Sequence, residues 1–217
     1  DLDCIRPGDV IIGFSSSGQA EWERSYNSGI GSNGLTAARH DCLDHSYALN
    51  YPETFSEDIP ENLVYCGKGK LTDPLAETPL TLGKALLSPT RTYTPLIQKV
   101  VSDFNEKIHG IIHCTGGGQT KCLKFGKQIH YVKDDLFPMP AIFKYIQESK
   151  SISLKEMYPV FNMGHRLEMF VDKSVTEDII NLSKGLSIEA KIIGYCDTSE
   201  SSKNQLTIKK DGETIEY

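Results

Sequence analysis

Gly116-Gly117-Gly118 follow His113-Cys114-Thr115 at the end of an apolar run, residues 108–112. Glycine loses more backbone freedom on folding than any other residue, so an ordered chain keeps three in a row for a geometric reason. An apolar strand, a glycine turn and a polar, helix-compatible stretch (119–125) form the order in which backbone N–H groups and the helix dipole favour an anion, often phosphate. The same residues also read as a tight turn in which glycine merely supplies positive φ. A second glycine-rich segment, Gly29-Ile30-Gly31-Ser32-Asn33-Gly34, enters a helix-like run from Leu35, with Ser32 or Asn33 a natural N-cap. Ser17 and Gly18, after an earlier strand, are either an anion cradle or a flexible loop. Arg91 is one of five arginines, held near Pro89. It reads as a planar clamp for phosphate or carboxylate, or as a surface ion pair.

The elements that must hold these residues are visible as periodicities. Residues 10–14 form a short, mostly apolar strand after the Pro7-Gly8-Asp9 turn. Helical spacing places Leu96, Val100 and Phe104 on one core face with Ile97 and Val101 beside them, behind Thr94 as N-cap and Pro95 at the first helical position. Strands are expected at 128–132, 167–171 and 188–195. A helix after Pro140 buries Ile142, Phe143 and Ile146, and Ser153 with Glu156 fits a capping box. Residues 175–184 read as a helix stopped by Gly185. A hairpin closes the chain, with Asp211-Gly212 as its turn. The alternation argues an α+β fold, a layered α/β sandwich with a mixed sheet and flanking helices. Residues 45–73 read least clearly, with Val64 and Tyr65 as strand candidates and Gly67-Lys68-Gly69-Lys70 as an exposed turn or a phosphate contact.

Length and composition set the limits. The 217 residues are 39% hydrophobic and 24% charged, enough for one large domain with a core. The net charge of −6 comes without a basic run, so there is no electrostatic footprint for nucleic acid or anionic membrane. Phosphate binding would therefore rest on local dipoles and a few cations. No apolar run approaches the ~20 residues that span a bilayer, and the start shows no signal-peptide pattern. Six scattered cysteines without a C-x-x-C pair read as reduced thiols of a cytoplasmic protein. No metal site is expected; His40 and His45 stand at i, i+5, the wrong spacing for a pair of ligands on one helix face.

Taken in order, Gly8-Asp9-Val10-Ile11-Ile12-Gly13, Ser16-Ser17-Gly18, Ser32-Asn33-Gly34, Ser88-Pro89-Thr90-Arg91-Thr92-Tyr93, His113-Cys114-Thr115-Gly116-Gly117-Gly118 and Glu156-Met157-Tyr158-Pro159-Val160-Phe161-Asn162-Met163-Gly164 resemble the C-terminal domain of aminoimidazole ribonucleotide (AIR) synthetase, or phosphoribosylformylglycinamidine cyclo-ligase. The resemblance runs over almost the whole chain and implies one domain, 1–217, with an insertion at 47–73. It also implies an N-terminal domain, not matched here, that supplies most of the ATP and magnesium site and of a homodimer interface. The full enzyme would use ATP to activate the formyl oxygen of formylglycinamidine ribonucleotide, and a nitrogen of the same substrate would close the imidazole ring of purine biosynthesis. This fragment alone is then expected to be inactive. Substrate or phosphate would meet Ser17, Gly18, Ser32, Asn33, Gly34, Arg91, Thr115, Gly116, Gly117 and Gly118. His113 would bond substrate, act as acid or base, or make a structural hydrogen bond; Asn162 would line the cleft or brace its loop.

Three departures from the family pattern stand out: the longer 47–73 segment, Gln119-Thr120-Lys121-Cys122 in place of an acidic segment, and His165-Arg166 where a small residue is expected. They leave two alternatives open, another ATP-dependent enzyme of the superfamily and a stand-alone ligand-binding module of the same fold.

Overall fold

The computed structural model describes residues 4–31 and 34–217. A seven-stranded mixed sheet runs β2-β4-β1-β5-β3-β6-β7. The strands are β1 (Val10–Ser15), β2 (Ile108–His113), β3 (Ile129–Lys133), β4 (His165–Val171), β5 (Ala190–Thr198), β6 (Gln205–Lys210) and β7 (Glu213–Glu216). All neighbours are antiparallel except β3 and β6. The helices are α1 (Leu35–Cys42), α2 (Ser46–Asn50), α3 (Leu82–Leu86), α4 (Thr94–Phe104), α5 (Ala141–Lys150), α6 (Leu154–Met157) and α7 (Thr176–Gly185).

Strand alternation divides the core in two. Ile11 of β1 faces a cluster containing Phe170, Ile193, Tyr131 and the buried Ile142, Phe143 and Ile146 of α5. Ile12 and Phe14, one pleat over, face Leu167, Met169 and Val171 together with Leu96 and Val100 of α4 and Ile179 of α7. β4 lies between β2 and β1 with helices over both faces, so all seven of its residues are buried. Burying each of these large side chains is worth about 1.5–3 kcal/mol, which makes the layered sandwich the stable arrangement.

Several local expectations need correction. Gly34, left-handed at φ 69°, is the N-cap of α1, with no side-chain cap bond; Ser32 and Asn33 lie outside the described residues. Tyr93 rather than Thr94 caps α4, and Val101 points outward because it lies off the Leu96–Val100 stripe. Gly185 falls inside α7, and the left-handed residue of that turn is Ser187, φ 56°. Val64 and Tyr65 are buried but not in a strand. The bridges are instead at Gly67 and Gly69, which pair with Asp44 and Leu43, so this turn is tied to the end of α1 while Lys68 and Lys70 stay exposed. The 47–73 segment contains the rest of α2 and two short 3-10 turns, Pro52–Thr54 and Glu61–Leu63. Asp211 and Gly212 have positive φ, 52° and 84°, as a tight hairpin turn requires.

Candidate functional site

β1 and β2 both run antiparallel to β4, so the ends of β1 and β2 and the start of β4 meet at one edge of the sheet. Three loops converge there: 15–18 after β1, 114–118 after β2 and 161–164 before β4. A bulge between Phe14 and Ser15 shifts the β1–β4 register, pairing Ser15 with His165. Both His165 and Arg166 are consequently turned into the interior.

The glycine turn needs its glycines. Gly116, Gly117 and Gly118 have φ of 66°, 119° and 49°. A side chain at Gly118 would collide with the carbonyl oxygens of Tyr158 and Phe161, whereas the space beside Gly116 is open. The turn runs directly into a 3-10 helix, Gly118–Lys124, closed by Thr120 N–H donating to the Gly117 carbonyl at 3.0 Å. The amine of Lys121 reaches back and donates to the carbonyls of His113 (2.9 Å) and Thr115 (2.8 Å). Lys121 therefore puts a positive charge against the turn.

His113 is half-buried at the end of β2, its Nδ1 2.8 Å from the Thr115 hydroxyl and its ring edge-on to Tyr93 at 6.1 Å. Burial pushes its pKa down, and the charges of Arg166 and Lys121 push it further, to about 4. It is a neutral imidazole near pH 7, suited to hydrogen bonding rather than to carrying charge.

Arg91 and Asn162 are placed as braces. Arg91 is buried, its Nε and Nη2 donating to the two Glu23 carboxylate oxygens at 2.9 and 2.7 Å, and its Nη1 to the carbonyls of Ser15 (2.8 Å) and Ser17 (3.1 Å). Burial pushes Glu23 up, but Arg91 and the Ala20 N–H outweigh it and hold the carboxyl below its ordinary range. Asn162 donates to the Gly29 carbonyl at 2.7 Å and accepts from Gly164 N–H at 3.1 Å, so it ties the loop before β4 to Gly29. Gly18 pairs with Asn27 through both backbone bonds, and its N–H is taken. Ser17 lines a cavity of about 200 Å³ with Tyr26, Pro138, Lys144 and Gly164. A larger apolar hollow, about 530 Å³, lies between α1, α3 and the 47–73 segment and contains none of the strand-end residues.

Beneath the turn lies a buried network that sequence reasoning did not assign to the site. Lys133 and Glu168, both fully buried, are 2.5 Å apart, and the same Glu168 oxygen is 2.9 Å from His165 Nε2. Lys133 also donates to the Gln119 carbonyl at 2.7 Å, and the Gln119 amide donates to the carbonyls of Asn162 (2.5 Å) and His165 (3.1 Å). Burial pushes Glu168 up, but Lys133 and His165 override it and hold the carboxyl near 2, so the pair is ionised. Charged residues inside the apolar stretches 129–133 and 165–171 were the available signal. Cys114, His165 and Glu168 are near enough to share an ion. The Lys133 ammonium already supplies the cation there, and a thiol and an imidazole do not suit magnesium, which prefers oxygen ligands. His40 and His45 bond separately to the backbone, at Tyr65 N–H and Val64 O.

Fold and site together define a layered α+β domain with a glycine-rich site where three loops meet at a sheet edge. The chain belongs to the family described as AIR synthase related protein, C-terminal domain, whose model matches residues 6–205. Among curated relatives, it is 34% identical over 194 residues to phosphoribosylformylglycinamidine cyclo-ligase of Alkaliphilus metalliredigens, covering 88% of this chain and 46% of that protein. The enzyme of the same name from Methanopyrus kandleri is 32% identical over 192 residues, 88% of this chain and 44% of the relative. The chain thus spans about half the length of the curated relatives it matches. E. coli HypE, a hydrogenase maturation protein, shares the fold: TM-score 0.51 at 16% identity, over 100% of this chain and 51% of that one. No helix among the described residues is long and apolar enough to cross a membrane.

Proposed function

We propose that this chain is the substrate-side half of an ATP-dependent phosphoribosylformylglycinamidine cyclo-ligase, the cytoplasmic enzyme that closes the imidazole ring of aminoimidazole ribonucleotide. The observation that carries the reading is the match to cyclo-ligases over nearly the whole chain but only half of each relative. It is supported by the meeting of His113, Thr115, the glycine turn and Lys121 at one sheet edge. ATP and magnesium would be held mainly by an N-terminal domain, with which this half pairs in a homodimer. ATP supplies the phosphoryl group that makes the formyl oxygen a leaving group. On this side, the glycine backbone and the Lys121 charge hold a phosphorylated ribonucleotide by positioning and charge stabilisation. Neutral His113 offers a hydrogen bond to the substrate.

Calorimetric titration with formylglycinamidine ribonucleotide, and separately with ATP, tests the reading. Binding of the ribonucleotide without ATP is expected, with turnover appearing only when the ATP-binding half is supplied. Turnover of a different substrate by the reunited halves, with none of this ribonucleotide, would overturn it.

A further inference from the structure

Arg166 is a buried charge that no described residue answers with a carboxylate. Its side chain is 1% exposed. Nη2 donates to the Gly29 carbonyl at 2.5 Å, while Nη1 is buried without a hydrogen-bond partner among the described residues. Glu23, which acts electrostatically on Arg166, is occupied by Arg91 through both oxygens. No described acidic side chain forms an ion pair with Arg166. A buried guanidinium without a counter-charge is costly, and natural interiors keep one where something else supplies that charge.

The surroundings say what that something is. A Cβ at Gly31 would stand 2.8 Å from Nη1, so it is bare glycine backbone that covers the guanidinium. Around the strand ends, Arg91 is answered by Glu23, Lys144 by Glu77 and Lys133 by Glu168, which leaves Arg166 and Lys121 without an ion-pair partner among the described residues. The chain carries a net charge of −6 and yet leaves these two cations without a carboxylate. Arg166 lies beside the end of β2: Cys114 N–H donates to its carbonyl, and the next residue, Leu167, pairs with His113.

We propose that Arg166 is an anion-binding residue of the strand-end site, its guanidinium taking a phosphate group between the Gly29–Gly31 backbone and His113. This rests on the proposed function for its setting and adds one of the two residues, His165-Arg166, that depart from the family pattern. The phosphate is either the ester group of the ribonucleotide or free inorganic phosphate, since both present the same oxygens to the planar fork.

The test reads His113 in the unaltered chain by NMR, with inorganic phosphate exchanged for chloride at constant ionic strength. His113 is faced by the Arg166 and Lys121 charges, the Thr115 hydroxyl and the Tyr93 ring. An anion on Arg166 offsets one of the two positive charges that face His113, so saturating phosphate should raise the His113 pKa by about one unit, a tenfold rise in proton affinity. Ribose 5-phosphate is the second probe: tighter binding than phosphate assigns the ester group, and weaker binding assigns the free ion. Arg166→Gln should weaken the preferred probe at least about tenfold, and Arg166→Lys should recover part of that loss because charge returns without the fork. Saturation by both probes with His113 unmoved overturns the proposal, as does no binding of either, or a folded Arg166→Gln variant that binds as tightly as the original. If Arg166→Gln does not fold, the His113 shift decides. Binding of formylglycinamidine ribonucleotide with His113 unmoved removes Arg166 and spares the cyclo-ligase reading; a phosphate-induced shift without ribonucleotide binding does the reverse.

Discussion

At the scale of single residues, the glycine turn separates two roles that look alike in sequence. Gly116→Ala meets only the strain of positive φ and should destabilise the fold by about 1–2 kcal/mol. Gly118→Ala should cost at least about 3 kcal/mol, because its Cβ would strike the Tyr158 and Phe161 carbonyls. Urea unfolding of both variants checks this, and equal losses would mean that the 158–161 backbone gives way freely. Arg91→Ala should lose about 3 kcal/mol, since it strands a partly buried Glu23 carboxylate and frees the 15–17 carbonyls. Unchanged stability with weakened ribonucleotide binding would instead return Arg91 to the role of a clamp. The glycines and His113 were legible because residue type and spacing alone mark a turn after a strand. The setting of Arg91 was not: Glu23 is 68 positions away, and only the folded sheet edge brings them together.

At the scale of elements, periodicity was a good guide and ends were a poor one. The buried stripes of α4 and α5, the capping box of α6 and the closing hairpin follow from side-chain spacing and turn chemistry. Strand order did not, because β4 enters between β2 and β1, and β5 between β1 and β3, through contacts distant in sequence. The buried Lys133–Glu168 pair belongs to this scale, since it bolts β3 to β4 beneath the glycine turn. Removing one partner leaves a naked charge in the core, so Lys133→Met should cost about 3–5 kcal/mol. Lys133→Met with Glu168→Leu should lose clearly less than the sum of the two single changes. Additive losses in that double-mutant cycle would show that the two charges are uncoupled.

At the scale of the whole molecule, the buried titrating groups give stability a direction in pH. His113 is held near 4, and burial lowers His165 and His40 as well, against an ordinary histidine value of 6.5. Between the folded and unfolded values the unfolded chain binds more protons, so stability rises with pH through that window. It is fully present above about 6.5 and is lost progressively as the pH falls toward 4. Glu168, held near 2 against 4.5 for an ordinary glutamate, adds a second loss below 4.5, when the unfolded chain takes up a proton that the folded carboxylate refuses. The unfolding free energy should therefore fall on acidification first through histidines and then through the Lys133-paired carboxylate. His113→Gln removes one titrating site, so its stability between pH 6.5 and 4 should fall less steeply than that of the unaltered chain, by up to one proton's worth of slope. Urea unfolding across this range reads the slope directly, and parallel curves for the two proteins would mean that His113 protonates as readily in the folded domain as in the open chain.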